Sequence, residues 1–259
     1  MGVSVLIASY NCEEYIEECL NCLLNQTYKD VEIIVCDDCS KDNTCNILRK
    51  YAENGKIIYL ENEINSGAAQ CRNNCLAVAT KEFVAVQDAD DYCTLDRFEK
   101  QIRILQKHPE MDFVSTGLQK FYENGEKRDI LPKKEFPDKN DFLMTLPFMH
   151  ATTLFRKDIL NKVNGYRVAW ETRRGQDYDL FMRIYAAGGK GMNLKEIHYF
   201  YRCFLGYTPR NSYKFRVGEF VIRYKGFKAL ELGVKSIPYI IKPLILGFVP
   251  QFLINKKCN

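Results

Sequence analysis

The sequence predicts an α/β protein in which a mainly parallel sheet is flanked by helices and followed by a basic, apolar helical tail. Short β-branched runs alternate with helix-period segments over the first 107 residues, the pattern of repeated strand–helix units whose sheet is covered on both faces. Polar residues gather just after each of the first four runs, and ligands of open α/β sheets bind beyond the carboxyl ends of the strands. A chain of 259 residues, 46% hydrophobic and 27% charged, can bury a substantial core as one large domain or one domain with an appendage.

VSVLIA (3–8) reads as the first strand, a short apolar run too brief for a helix. Residues 13–26 place Ile16, Cys19, Leu20, Leu23 and Leu24 at helical spacing, an amphipathic helix. VEIIVC (31–36) is the second strand, 42–53 a helix and KIIYL (56–60) the third strand. Gly67 permits the turn into a helix over 67–79, and FVAVQ (83–87) is the fourth strand. The helix over 95–107 stops before His108-Pro109, because proline disfavours helical backbone in its predecessor. Beyond residue 112 the regularity loosens. DFVSTGLQKFY and HATTLFR read as strands around a mobile, polar, proline-containing excursion (123–140), with helices over 176–187 and 211–232.

The net charge of +4 hides an asymmetry: residues 201–259 carry eleven Lys or Arg against Glu219 and Glu231, a local +9. An anionic partner for the tail is expected, and no nucleic acid. Eleven cysteines behind an N-terminus without an export signal predict a reducing compartment and free thiols. Cys19-x2-Cys22 and Cys36-x2-Cys39 have zinc-site spacing. Cys19, however, belongs to a helical stripe and Cys36 ends a strand, so buried thiols acting as small hydrophobes are expected instead.

FVAVQDADDY (83–92) poses the main chemical question. In extended backbone Asp88 and Asp90 share a face about 6.5 Å apart, repelling by about 2–3 kcal/mol at an effective dielectric of about 20. A divalent cation would relieve this, since hard cations collect carboxylate oxygens and Mg²⁺ completes its shell with phosphates and water. A solvated acidic turn capping the helix near Thr94 is the alternative.

VSVLIASYNCEEYIEECLNCLLNQTYKDVEIIVCDDCSKDNT, NSGAAQCRN, QDADD and GQDYDLFMRI resemble, in order and spacing, the successive motifs of family 2 glycosyltransferases over roughly residues 2–205. The resemblance implies a GT-A fold over 1–205, with a nucleotide-binding half to about residue 110, an acceptor half over 111–205, and 206–259 as a helical extension. It implies that Ala8 and Tyr10 flank a uracil and that Asp38 accepts a hydrogen bond from the base, as an acceptor-only carboxylate can. The structural alternative is that Asp37 and Asp38 end the strand and cap the next helix with Ser40. Gly67 and Arg72 are implied in donor binding, the arginine as a fork for phosphate. Asp90 is implied as the direct ligand of Mn²⁺ or Mg²⁺, with Asp88 near ribose or metal-bound water. Asp91 should turn back into the protein toward the helix N-terminus.

Asp177 stands where similar enzymes carry their catalytic aspartate and is expected to deprotonate an acceptor hydroxyl. The family's usual Glu before it is Gln176 here, a candidate acceptor contact. Asp179 should face elsewhere on the helix. Trp170 and His150 are further candidate donor or acceptor contacts, with ordinary structural roles as alternatives. Many relatives place a histidine just after the YR pair, where Tyr201-Arg202 is followed by Cys203-Phe204.

The expected activity is metal-dependent, inverting transfer of a hexose or N-acetylhexosamine from a UDP-sugar to a glycan or lipid-linked glycan. Surface polysaccharide assembly at the cytoplasmic side of a membrane is the expected setting. A nucleotidyltransferase would share the nucleotide and metal but not the QDYDL base. An inactive glycan-binding scaffold would keep the fold without hydrolysing donor. No GxGxxG follows the first strand, which argues against a dehydrogenase. The apolar run SIPYIIKPLILGFVPQFLI (236–254) is interrupted by Pro238, Lys242, Pro243 and Pro250, so a spanning helix of about 20 apolar residues is not expected. Arg223, Lys225, Lys228 and Lys235, interleaved with Phe220, Tyr224 and Phe227, suit an anionic membrane surface. Packing on the domain or on a second subunit is the alternative.

Overall fold

The computed structural model describes residues 1–204 and 213–247. At its centre β1 (Val3–Ser9) runs parallel between β2 (Val31–Asp37) and β4 (Phe83–Asp88), with β3 (Ile58–Glu61) outside β2. The helices α1 (Ile16–Leu24), α2 (Thr44–Glu53), α3 (Ala68–Val78) and α4 (Arg97–Lys107) follow these strands within the expected spans. Side chains alternate across β1. Val3, Val5 and Ile7 pack with Ile16, Leu20 and Leu23 of α1 and Phe98 and Ile102 of α4, while Leu6 meets Ala69 and Cys75 of α3 on the other face. Each such fully buried aliphatic side chain contributes about 1.5–3 kcal/mol, so Leu20→Ala would cost about 2–5 kcal/mol.

The second half adds β5 (Tyr92–Cys93), β6 (Phe113–Tyr122), β7 (Lys127–Ile130), β8 (Leu154–Arg156) and β9 (Gly191–Cys203). Among the described residues nine strands make one sheet, ordered β3-β2-β1-β4-β8-β6-β9-β5 with β7 on β6. The helices here are α5 (Lys157–Lys162), α6 (Gln176–Ala186), α7 (Tyr213–Ala229) and α8 (Ile237–Gly247). The result is an α/β architecture whose β3-β2-β1-β4 portion is parallel, as the sequence predicts.

Several expectations need correction. The stretch 123–140 contains β7, which pairs antiparallel with β6, and Lys134 bridges Asp138 and Asp141, so it is not simply a mobile excursion. HATTLFR divides into a 3₁₀ turn, His150–Thr152, and the three-residue β8. Sequence periodicity missed β9 altogether. Its pairing with β6 shifts register near Gly117, which breaks the alternation and leaves Lys195 and Glu196 exposed in mid-strand. A Cβ at Gly117 would lie 3.1 Å from the Lys195 carbonyl oxygen, a tight approach that glycine avoids.

Cys19 and Cys36 lie in the cores on opposite faces of the sheet, which separates the two halves of the zinc-like pattern. The helix α7 is not a detached extension: Ile222 and Phe227 are buried in the same core as α3 and α6. The remaining tail, residues 248–259 with Pro250, and the stretch 205–212 with the expected boundary at 205 lie outside the described residues.

Candidate active site

The parallel register brings the strand tips level. Ala8 on β1 is paired with Cys36 on β2 and Asp88 on β4, and Ser9 with Asp37. Asp37 closes this end of β2: Ser9 Oγ donates to it at 3.0 Å, and Ser40 donates through Oγ at 2.6 Å and N–H at 2.8 Å. Asp37 and Ser40 thus close a turn after β2 and do not cap α2, which begins at Thr44 behind Asn43. Asp38 instead holds the turn before α3. Its Oδ1 accepts from Asn62 Nδ2 at 2.9 Å and Ser66 N–H at 2.8 Å, and its Oδ2 from Gly67 N–H at 2.7 Å. A carboxylate has about four lone-pair sites, and these bonds occupy three of them. Gly67 sits at φ 89°, where a side chain would be strained. Just beyond β1 Tyr10 is exposed, and Ala8 is half-buried.

From α3, Arg72 points inward. It is only 6% exposed and forms a 2.8 Å ion pair with Asp88 Oδ1. Its guanidinium lies 5.8 Å from the Tyr166 ring centre, and its buried Nε and Nη1 have no hydrogen-bond partner. Asn73, one residue on, clamps Tyr166 by accepting its N–H and donating to its carbonyl, both at 2.8 Å. His150 shares a 2.8 Å hydrogen bond with the Tyr166 hydroxyl, and burial together with Arg72 holds its pKa well below the usual range. His150 thus braces Tyr166 through its imidazole.

The acidic loop after β4 is held from β9. The Asp88 N–H donates to the Tyr199 hydroxyl at 3.1 Å. The Arg202 N–H donates to Asp91 Oδ1 at 2.7 Å, and Arg202 Nε donates to the Asp90 carbonyl at 2.9 Å. Asp91 does turn back into the protein, but onto β9 rather than the α4 N-terminus. Beneath the loop, fully buried Arg97 donates to Gln87 Oε1, the Val86 carbonyl and the Ala151 carbonyl. Tyr166, Tyr199, Arg202 and Arg97 escaped the sequence reading; the YR pair drew notice only for its missing histidine.

Burial and the Asp88 charge raise the pKa of Asp90, and burial with Asp88 and Asp90 pushes Asp91 up to about 8. Asp91 Oδ2 is buried with no hydrogen-bond partner. This crowding of negative charge fits a divalent cation at the loop. Asp88 is already engaged by Arg72, whereas Arg202 reaches Asp90 through its backbone, so Asp90 is the better placed ligand. Among the described residues no group of three or more His, Cys, Asp or Glu side chains is arranged to hold a metal. Two carboxylates suit an ion that draws its other ligands from phosphate and water.

Asp177 opens α6, and its Oδ1 accepts the Tyr178 N–H at 2.8 Å. Burial raises its pKa, the Arg72 charge opposes that rise, and Asp88 adds to it. Asp177 therefore lies within electrostatic reach of the Arg72–Asp88 pair. Asp179 points away, bound by Arg167 and Arg183, each at 2.7 Å. Gln176 and Trp170 line a cleft of about 380 Å³ with Ser66, Gly67 and Arg173. Trp170 is 53% exposed, so it is not a core residue.

Comparison with known proteins agrees with this class of fold. A crystal structure of S. aureus TarS in complex with UDP-GlcNAc matches 95% of this chain and 71% of that one, with a TM-score of 0.73 at 23% identity. The profile described as Glycosyl transferase family 2 matches residues 4–163. EpsE of Bacillus subtilis (strain 168), described as a glycosyltransferase, is 35% identical over 257 residues, spanning 98% of this chain and 92% of EpsE. The Escherichia coli UDP-Glc:alpha-D-GlcNAc-diphosphoundecaprenol beta-1,3-glucosyltransferase WfaP is 28% identical over 254 residues, 94% of each chain. The chain belongs to glycosyltransferase family 2.

Proposed function

We propose that this glycosyltransferase moves a hexose or N-acetylhexosamine from a UDP donor to a glycan or lipid-linked glycan, with inversion, during assembly of a surface polysaccharide. The observation that carries this reading is buried Arg72, ion-paired with Asp88 and within electrostatic reach of Asp177, which supports one site for the acidic loop and the candidate base. WfaP is named for a UDP-glucose donor and a diphosphoundecaprenol-linked acceptor, and TarS has been crystallised with UDP-GlcNAc; both support the donor and acceptor classes.

The half-buried Ala8, the exposed Tyr10 ring and the remaining lone pair of Asp38 would receive the base beside the Gly67 turn. The two unpartnered nitrogens of Arg72 supply donors toward the diphosphate. The Tyr178 N–H holds Asp177 Oδ1, which leaves Oδ2 for the acceptor hydroxyl. As the acceptor oxygen attacks the anomeric carbon, its proton passes to Asp177 and the bond to the β-phosphate breaks. A raised pKa brings Asp177 closer to neutral pH, where general bases work best. Asp90, with Asp88, would hold Mn²⁺ or Mg²⁺, which neutralises charge on the departing diphosphate.

No described helix is long and apolar enough to cross a membrane. The exposed Ile237, Ile241 and Ile245 of α8, beside Lys235 and Lys242, support a peripheral contact with the inner membrane face. Assaying UDP release from a panel of UDP-sugars with Mn²⁺, with and without diphosphate-linked GlcNAc acceptors, tests the function. Acceptor-stimulated release is expected; no release from any donor under either condition would overturn it.

A further inference from the structure

We propose that Cys22 and Cys93 are an oxidant-sensitive modification site, forming a reversible disulfide that ties α1 to the segment following the acidic loop. The inference stands apart from the transferase reading and rests on where the fold puts two thiols that are 71 positions apart in the chain. Every cysteine among the described residues is a free thiol. The Cys22 and Cys93 sulfurs lie 3.8 Å apart. A disulfide spans about 2 Å, a gap that side-chain rotation and a small shift of β5 can close. That strand has two residues and, at the end of the sheet order, pairs only with β9.

Access and chemistry single out this pair. Cys36, Cys71 and Cys75 also gather, but all three are fully buried, out of an oxidant's reach. Cys22 is only half-buried, so a molecule as small as hydrogen peroxide can approach the pair. The Cys22 thiol donating to it holds the Cys93 pKa below the ordinary thiol range, against burial and with the charge of Arg97 in support. Gln26 Nε2 also donates to the Cys93 sulfur, at 3.5 Å. Cys93 is thus the sulfur that ionises first. Its thiolate attacks one peroxide oxygen and breaks the O–O bond, giving a sulfenic acid and a hydroxide that takes a proton to become water. The Cys22 sulfur then attacks the Cys93 sulfur, and its proton leaves with the displaced hydroxyl as a second water. The two thiols lose two electrons to one peroxide. In a reducing compartment the bond would be transient, which suits a sensor rather than a structural staple.

The bond bears on the acidic loop because α1 already contacts both sides of it. Cys19 Sγ donates to the Asp88 carbonyl at 3.5 Å, and Gln26 Nε2 donates to the Thr94 carbonyl at 2.8 Å. Cys93 itself is paired with Tyr199 on β9, whose hydroxyl accepts the Asp88 N–H. A covalent tie at Cys93 therefore restrains residues 88–94 from the α1 side, and movement of this segment away from the helix then requires reduction of the disulfide.

Peptide mapping of the full chain by mass spectrometry, with free thiols blocked before and after hydrogen peroxide treatment, tests the site. A Cys22–Cys93 disulfide should form, and dithiothreitol should remove it. Amide hydrogen exchange over residues 88–94 should slow about tenfold or more in the oxidised chain. Cys22→Ser and, as an independent change, Cys93→Ala should each abolish both the bond and the slowing. Cys39→Ser, at another partly exposed thiol, should leave both intact. Cys22 and Cys93 recovered unpaired after oxidation, their capture by other cysteines instead of each other, or unchanged exchange in the bonded form would each overturn the proposal.

Discussion

Arg72 and Asp88 form a 2.8 Å ion pair in which the arginine is almost wholly buried, and Asp177 bears electrostatically on the same guanidinium. Burial disfavours the charge on Arg72, but Asp88, Tyr166 and Asp177 more than offset it, so the pKa is raised. The arginine is the counter-ion of the strand-four tip and lies within electrostatic reach of the start of α6.

Removing that counter-ion leaves Asp88 partly buried and unpaired. Arg72→Met should destabilise the chain by about 2–4 kcal/mol, less than a fully buried pair because Asp88 retains some solvent. Urea unfolding of Arg72→Met, Asp88→Asn and the double variant checks this. A double variant whose loss equals the sum of the two single losses would show that the pair is not coupled.

Asp177→Asn should keep the Tyr178 N–H contact through the amide oxygen while losing the proton acceptor. Turnover should fall about 10²–10⁴-fold with UDP affinity nearly unchanged. If Asp177 is the base, turnover in the unsubstituted enzyme should decline as pH falls through a value above the ordinary aspartate pKa of about 3.9. Stopped assays across acid pH read both effects. A variant with normal turnover would remove Asp177 from the chemistry.

Asp91 is held in the fold with its pKa pushed up to about 8. The native chain therefore binds more protons than the unfolded chain between about pH 4 and pH 8, and its metal-free stability should fall as pH rises through that window. Asp91→Asn can still accept the Arg202 N–H. It should flatten the dependence and raise stability near pH 8 by on the order of 1–3 kcal/mol. Thermal melts at several pH values in EDTA test this; parallel curves for the two proteins would contradict it.

Asp90→Asn should uncouple metal from nucleotide. With saturating UDP, the unsubstituted chain should gain up to about 2.7 kcal/mol at a hundredfold excess over the dissociation constant, and Mn²⁺ should increase that gain. In the variant, UDP should stabilise equally with and without Mn²⁺. Retention of the full Mn²⁺ increment would move the metal away from Asp90.

The strands β1, β2 and β4 were legible to within a residue or so because their apolar runs are continuous, as expected where both faces of a parallel sheet are covered. β9 was not, because its register shift against β6 breaks the two-residue alternation on which strand reading depends. Asp88, Asp90 and Asp177 were legible through local motifs. Tyr199 and Arg202 were not: they reach the acidic loop from 111 and 112 residues away, and no local pattern carries such a separation.

Sequence alone determined the order of strands and helices, the acidic loop at the fourth strand tip and the aspartate opening α6, because each is written in neighbouring residues. Tertiary structure decided how those carboxylates are employed. Folding pairs Arg72 with Asp88, gives Asp38 to the Gly67 turn, turns Asp91 onto β9 and packs α7 against α6. The physical reason is that charge, desolvation and hydrogen bonding act through space, so a carboxylate's role depends on which distant groups the fold brings within a few ångströms.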